Sequence, residues 1–148
     1  MAVANKNAYV ERGAHIFGNS KIFGTVAVKG KAVVSGNVKL YDACQVLDNA
    51  HLSGDIRGAA SAKFYGDAKV FGNGHFQGQA DISSASDWLT LIHEGKTITL
   101  YKSRAPNGYE VNIDGIDTNL VELSVTVSAT LARYLNQLIK AKKWPTNG

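Results

Sequence analysis

Taken at intervals of eighteen residues, Lys21, Lys39, Arg57 and His75 form one series, and beside it runs a second, Phe23, Tyr41, Ala59 and Gln77. Cations recurring beside aromatic rings are what a surface needs to hold phosphates and stack bases. Like charges about 4.8 Å apart repel modestly in water. The series is therefore either a solvated face, with Asp55 softening Arg57, or a strip that an anion neutralises. Lys21, Lys39, Arg57, His75, Phe23 and Tyr41 are the candidate anion- or partner-binding residues. A net charge of +4 and a pI of 9.2 suit a nucleic acid, a nucleotide or an acidic protein, without choosing among them.

The remaining reactive groups carry less. His15 and His51 lie in another series of the same period with Val33 between them. Two coil spacings put them about 10 Å apart, too far for one metal at about 2 Å per ligand. No metal site and no cofactor is expected. His93, beside Glu94 in a predicted turn, reads as ordinary surface. Cys44 is the single cysteine, and it falls where the pattern wants a small inward residue, so it reads as a buried thiol in a reducing cytoplasm. No apolar run approaches eighteen residues and no charged-then-apolar stretch opens the chain, so neither a membrane span nor a secretion signal is expected.

What makes eighteen the meaningful interval is a six-residue repeat running from Asn7 to Ile82 without an insertion. Its fourth place holds Val10, Ile16, Ile22, Val28, Val34, Leu40, Val46, Leu52, Gly58, Phe64, Val70, Phe76 and Ile82. The second place is mostly small (Ala14, Ser20, Ala32, Cys44, Ala50), and the sixth is Gly in eight rows. Side chains alternate across a strand, so the second and fourth places share an inward face and the third and fifth an outward one. The sixth-place Gly supplies the backbone freedom of a corner. Three rows close a triangular coil of eighteen residues, and thirteen rows make a little over four coils.

This pattern resembles the hexapeptide-repeat proteins, which form left-handed parallel β-helices. Ile16 to Ser20, Val28 to Ala32, Val46 to Ala50 and Val70 to Gly74 follow that family's aliphatic-then-small spacing. The resemblance implies a mainly β, left-handed triangular solenoid. Acyltransferases of that fold add a protruding loop and a histidine between subunits. No loop interrupts the rows here, and nothing marks out His15, His51 or His75 as a base. Carbonic anhydrases of that fold bind zinc through histidines between subunits, and the third histidine they use has no counterpart here.

Row nine, Asp55 to Ala60, inverts the pattern, with Ile56 at the small place and Gly58 at the large one. Phe76, one coil on, is the expected filler of the gap, with a local bend as the alternative. From Asp87 the six-residue phase is lost. Trp88 to His93, Thr97 to Lys102 and Tyr109 to Asp114 read as strands, with breaks at Glu94-Gly95 and Pro106-Asn107-Gly108. Leu131, Tyr134, Leu135, Leu138 and Ile139 share a helical face behind a Ser128 N-cap, with Lys140, Lys142 and Lys143 towards its C-terminus. Residues 117–127 divide between strand and helix and lean to a short helix. The expected organisation is a β-helix over 1–83 and a small α+β cap over 84–148, in which Trp88, Leu91 and the helix face bury the last coil.

Hexapeptide rows followed by a strand led by Trp88-Leu89, an arm reading Thr97 to Tyr101 and a final helix resemble small bacterial and prophage proteins of unassigned function. That resemblance implies no reaction. Outward Phe17, Phe71, Tyr65 and Leu47 are candidates for a dimer, trimer or partner surface. The functional expectation is a non-enzymatic binding or scaffold module, a cytoplasmic accessory protein of a bacterium or phage. An acyl-CoA-dependent acyltransferase and a nucleotide or nucleic-acid binder are the alternatives.

Overall fold

Two-residue strands recur every six residues from Tyr9–Val10 to Asp81–Ile82, and only Asp55–Gly58 and Asn73–Phe76 among them are longer. They belong to a computed structural model that describes residues 3–4, 7–106 and 108–141. Each strand pairs in parallel with the one eighteen residues on, as in Tyr9↔Ala27, Lys21↔Lys39 and Val33↔His51. Three sheets result, each forming one side of a parallel β-solenoid of about four turns. Val28, Val46 and Phe64 stack as one fully buried column, and Ala32, Cys44, Ala50 and Ala62 fill the corners between such columns. The inward aliphatic and the inward small residue thus occupy the positions that pleat alternation assigns them. Burial pushes the Cys44 thiol up to about 12, which keeps it un-ionised and unreactive.

Corners stack as closely as strands do. Sixth-place residues from Gly18 to Gly78 have positive φ, and these include the non-glycines Asp42, Asp48 and Ala60. A Cβ on Gly36 would sit 2.8 Å from the Gly54 nitrogen, so there the glycine is required by the next turn as well as by its own φ of 76°. Aspartate is accommodated where its carboxylate finds a donor in the following coil. Asp42 Oδ2 accepts from Ala60 N–H and Asp48 Oδ2 from Gly66 N–H, both at 3.0 Å.

At row nine several neighbours crowd the place that Gly58 leaves without a side chain. A Cβ built on Gly58 would meet Leu40 Cδ2 at 2.9 Å, Cys44 Sγ at 3.3 Å and Phe64 Cε2 at 3.4 Å. The nearest atoms thus come from the preceding coil and from the next row, and Phe76, the register partner of Gly58, packs edge-on against Phe64.

The cap also departs from expectation. Strands Trp88–His93, Lys96–Lys102 and Tyr109–Ile113 form an antiparallel sheet, completed by Ile116–Thr118, a strand the sequence did not announce. Glu94 and Gly95 turn the first hairpin, both with positive φ. Asn107 of the second break lies outside the described residues. Helix α1 (Leu120–Thr126) is capped by Asn119, whose side chain accepts from Glu122 N–H at 2.8 Å, so the 117–127 segment resolves as a strand end followed by a helix. Helix α2 (Ala129–Ala141) begins with Ser128 Oγ accepting from Leu131 N–H, and Lys142 and Lys143 lie outside the described residues.

It is this sheet, not the helices, that covers the last coil. Trp88 and Tyr101 join the solenoid core. Leu91 faces the other way, with Leu89, Ile98, Leu100 and Val111, into a second core shared with Leu123, Ala132 and Leu135. Alternation along the sheet gives it two buried faces, one for the solenoid and one for the helices. Tyr134, expected on the packed helix face, is 44% exposed.

At the solenoid's last coil, outward-running N–H groups at every second residue have no further coil to bond. His75 N–H donates to Thr99 Oγ1 (3.1 Å), Gln77 N–H to Tyr101 OH (3.1 Å) and Gln79 N–H to Glu110 Oε2 (2.9 Å). Arg104 N–H donates to the Gln79 carbonyl at 3.0 Å. Side chains thus replace a missing coil and remove a pairing edge. At the opposite end, among the described residues, Val3–Ala4 pairs with Lys21–Ile22 alone, and Tyr9 is 53% and Val10 37% exposed.

Candidate functional site

Strand pairing builds the cationic series directly. Lys21↔Lys39, Lys39↔Arg57 and Arg57↔His75 are register partners on one side of the solenoid. Because they occupy third places, their side chains leave the core on the outward face. Phe23 and Tyr41, one residue past the ends of the Lys21–Ile22 and Lys39–Leu40 strands, are stacked with ring centroids 5.4 Å apart and planes 11° from parallel. All six sequence-derived ladder residues therefore share one flat face. The neighbouring carboxylate, Asp55, accepts from Asn37 Nδ2 at 3.4 Å within an Asn–Asp file along the face's edge.

His75, like Lys39, is half-buried, whereas Lys21 and Arg57 are exposed. Burial and then the Arg57 guanidinium lower the His75 pKa from 6.5, partly opposed by Asp114 and Asp55. The folded protein therefore binds a proton there less readily than the unfolded chain does. Stability from neutral His75 is fully present above about pH 6.5 and is lost as pH falls through its lowered folded value. The expected result is that His75→Gln flattens the acid limb of a stability-against-pH profile below about pH 6.5. Urea titrations at matched pH check it, and parallel profiles for the two proteins would count against it.

The cap completes the face's far end. Tyr41, Arg57, Ala59, His75, Gln77 and Gly115 line a cleft of about 270 Å³. Gln77 Nε2 donates to the Gly115 carbonyl. Asp114, in the same hairpin turn, is fixed by Thr97 N–H donating to its Oδ1 at 2.8 Å. Sequence reading missed Asp114 and Gly115 as members of this site. Only the docking of the cap brings that turn beside row-nine residues, and no local signal marks it.

The remaining outward apolar residues do not converge. Phe17 (52% exposed) and Phe71 (38%) lie at opposite ends of another side, with Ser35 and Ser53 between them. Phe17 stacks on His15, and Phe71 leans edge-on against Trp88. Leu47 and Tyr65 are neighbours on the third side, and the Tyr65 ring lies under Lys63 Nζ at 4.9 Å. A hydrogen bond with Asp81 raises the Tyr65 phenol pKa, so this tyrosine is already engaged within the chain. His15 and His51 share the Phe17 side with Val33 paired between them. Among the described residues no group of three metal-ligating side chains assembles, and no helix is long and apolar enough to cross a membrane.

Compared with known proteins, the chain matches no family model, no curated protein and no solved structure. Its class, a parallel β-solenoid with an α+β cap, rests on the strand register alone.

Proposed function

We propose that this chain is a binding module, of the left-handed hexapeptide-repeat type, that holds an anionic partner along its ladder face. Single-stranded nucleic acid is the partner the chemistry fits best. The observation carrying this reading is the in-register series Lys21, Lys39, Arg57 and His75 beside the stacked Phe23 and Tyr41 rings. Such a face offers several phosphate contacts at once and a sequence-tolerant stacking platform. A cytoplasmic accessory role in a bacterium or phage accords with the repeat resemblance and with the buried, un-ionised Cys44.

Titration of a fluorescent single-stranded oligonucleotide at several salt concentrations tests it. Each phosphate contact adds about 0.7 to the slope of log affinity against log salt, so Lys39→Gln with Arg57→Gln should weaken binding and flatten that slope. Absence of binding at low salt, or binding indifferent to both substitutions, would overturn it. Competition by polyglutamate at equal charge would redirect the reading to an acidic protein.

Self-association is a second reading, favoured by the exposed Tyr9 and Val10 on the first described coil. Light scattering should then report a dimer or trimer that dissociates in Val10→Asp. A monomer at high micromolar concentration would end this reading.

A further inference from the structure

The outward file Phe23, Tyr41, Ala59, Gln77 changes character halfway. Phe23 and Tyr41 stack ring on ring, and the next rung then presents a methyl group before Gln77 closes the file against Gly115. Two coil spacings separate the Tyr41 and Gln77 rungs, about 9.6 Å. A planar ring at van der Waals distance from a neighbour on each side needs about 7 Å. Ala59 thus leaves a gap one ring thick, floored by its own Cβ, with Tyr41 as one wall and the Gln77–Gly115 pair as the other. Arg57 stands beside Ala59 on the same strand run and lines the same cleft with His75.

We infer that this gap is a slot for a nucleobase, which continues the Phe23–Tyr41 stack as its third ring while Arg57 takes the attached phosphate. The inference rests on the ladder as an anion-binding surface and specifies what its cap end recognises. Asp114, held by Thr97 N–H, places a carboxylate on the far wall. That charge disfavours a polyphosphate inside the cleft and leaves the anion on the Arg57 side, towards Lys39. A free mononucleotide and the terminal unit of a single strand present the same chemistry, and both fit the slot.

The test uses the full chain with adenosine 5′-monophosphate, adenosine and ribose 5-phosphate as probes, followed by amide chemical shifts and calorimetry. The monophosphate is expected to shift amides of Tyr41, Arg57, Ala59 and Gly115, and to bind at least ten-fold more tightly than either half. Ala59→Phe, which supplies the third ring from the protein itself, should abolish those shifts. Tyr41→Ala, which opens the slot instead of filling it, should weaken binding about ten-fold or more by removing the stacking wall. Competition of the monophosphate with a single strand for the same amides identifies the strand terminus as an occupant, and its absence assigns the slot to free nucleotide.

Binding that survives Ala59→Phe, or ribose 5-phosphate binding as well as the nucleotide, would overturn the slot. So would an oligonucleotide that binds through Lys39 while the monophosphate does not bind at millimolar concentration, a result that leaves the ladder reading intact. Monophosphate binding with no length dependence among oligonucleotides supports the slot and confines anion binding to its Arg57 end, removing the rest of the ladder as a strand-binding surface.

Discussion

Tyr101→Ala is expected to lower the free energy of unfolding by about 3–5 kcal/mol, a large part of the ~5–15 kcal/mol available to a domain. Tyr101 is fully buried between the two layers of the molecule and packs against Phe76 at a centroid distance of 5.3 Å, in a core cluster with Trp88. Its truncation removes that ring and the partner of the Gln77 backbone. Tyr101→Phe separates the two losses. It keeps the packing and strands one buried N–H, at a cost of about 1–3 kcal/mol. Burial raises the phenol's pKa, so the hydroxyl stays protonated and also donates to the Gln77 carbonyl at 3.3 Å. Urea unfolding gives both differences, and amide exchange at His75, Gln77 and Gln79 locates them. A Tyr101→Phe protein with unchanged Gln77 exchange would show that the hydroxyl does not cap this edge. The alanine variant should also associate at high concentration, because an uncapped coil is a template for pairing.

Gly58→Val is the second substitution of large expected effect, and its sign runs against the repeat. Row nine has Gly where nearly all other rows carry a sizeable apolar residue, so consensus logic predicts that valine stabilises. Leu40 Cδ2, Cys44 Sγ and Phe64 Cε2 already occupy the volume, the nearest 2.9 Å from the first added atom. Overpacking of a tight core costs about 1–3 kcal/mol, and we expect valine to destabilise by that amount. Leu40→Ala in the same protein should recover part of the loss by vacating the space, although alone it is destabilising. Non-additivity of this kind is expected between residues in direct contact. A Gly58→Val protein more stable than the wild type would mean that the core around Leu40 rearranges freely.

These two positions mark the boundary of what could be read from the chain. A strict period of six fixes which side chains point inward, because pleat alternation is a local property of each strand. The period times three then fixes which residues become neighbours, because every coil has equal length. Hence the Lys21-to-His75 series, the Phe23–Tyr41 stack, the buried Cys44 and the column Val28, Val46 and Phe64 were all legible. Asn119 and Glu122 have the spacing of a helix start, since a capping hydrogen bond spans only three residues, but Val121, Val125 and Val127 favour a strand, so the sequence only leaned to a helix there.

Where the repeat ends, locality ends with it. The sequence showed a strand beginning at Trp88 and a helix beginning near Ser128, but not which of them would meet the last coil. That choice depends on non-local pairing. Only a sheet face bearing Thr99, Tyr101 and Glu110 can offer acceptors to N–H groups spaced two residues apart along Asn73–Phe76 and beyond. An apolar helix face would have left those donors buried and unbonded, at about 1–3 kcal/mol each. The crowding at Gly58 likewise involves Cys44 and Phe64 of other rows besides its register partner Leu40, and the eighteen-residue period encodes only the last of these contacts. The cleft at Ala59 exists because docking of the cap brings the Asp114–Gly115 turn against the ladder. Equal coil lengths let the sequence alone determine the ladder and its neighbours; tertiary structure alone decided what closes its end, because the unbonded edge of the last coil selects the surface that can satisfy it.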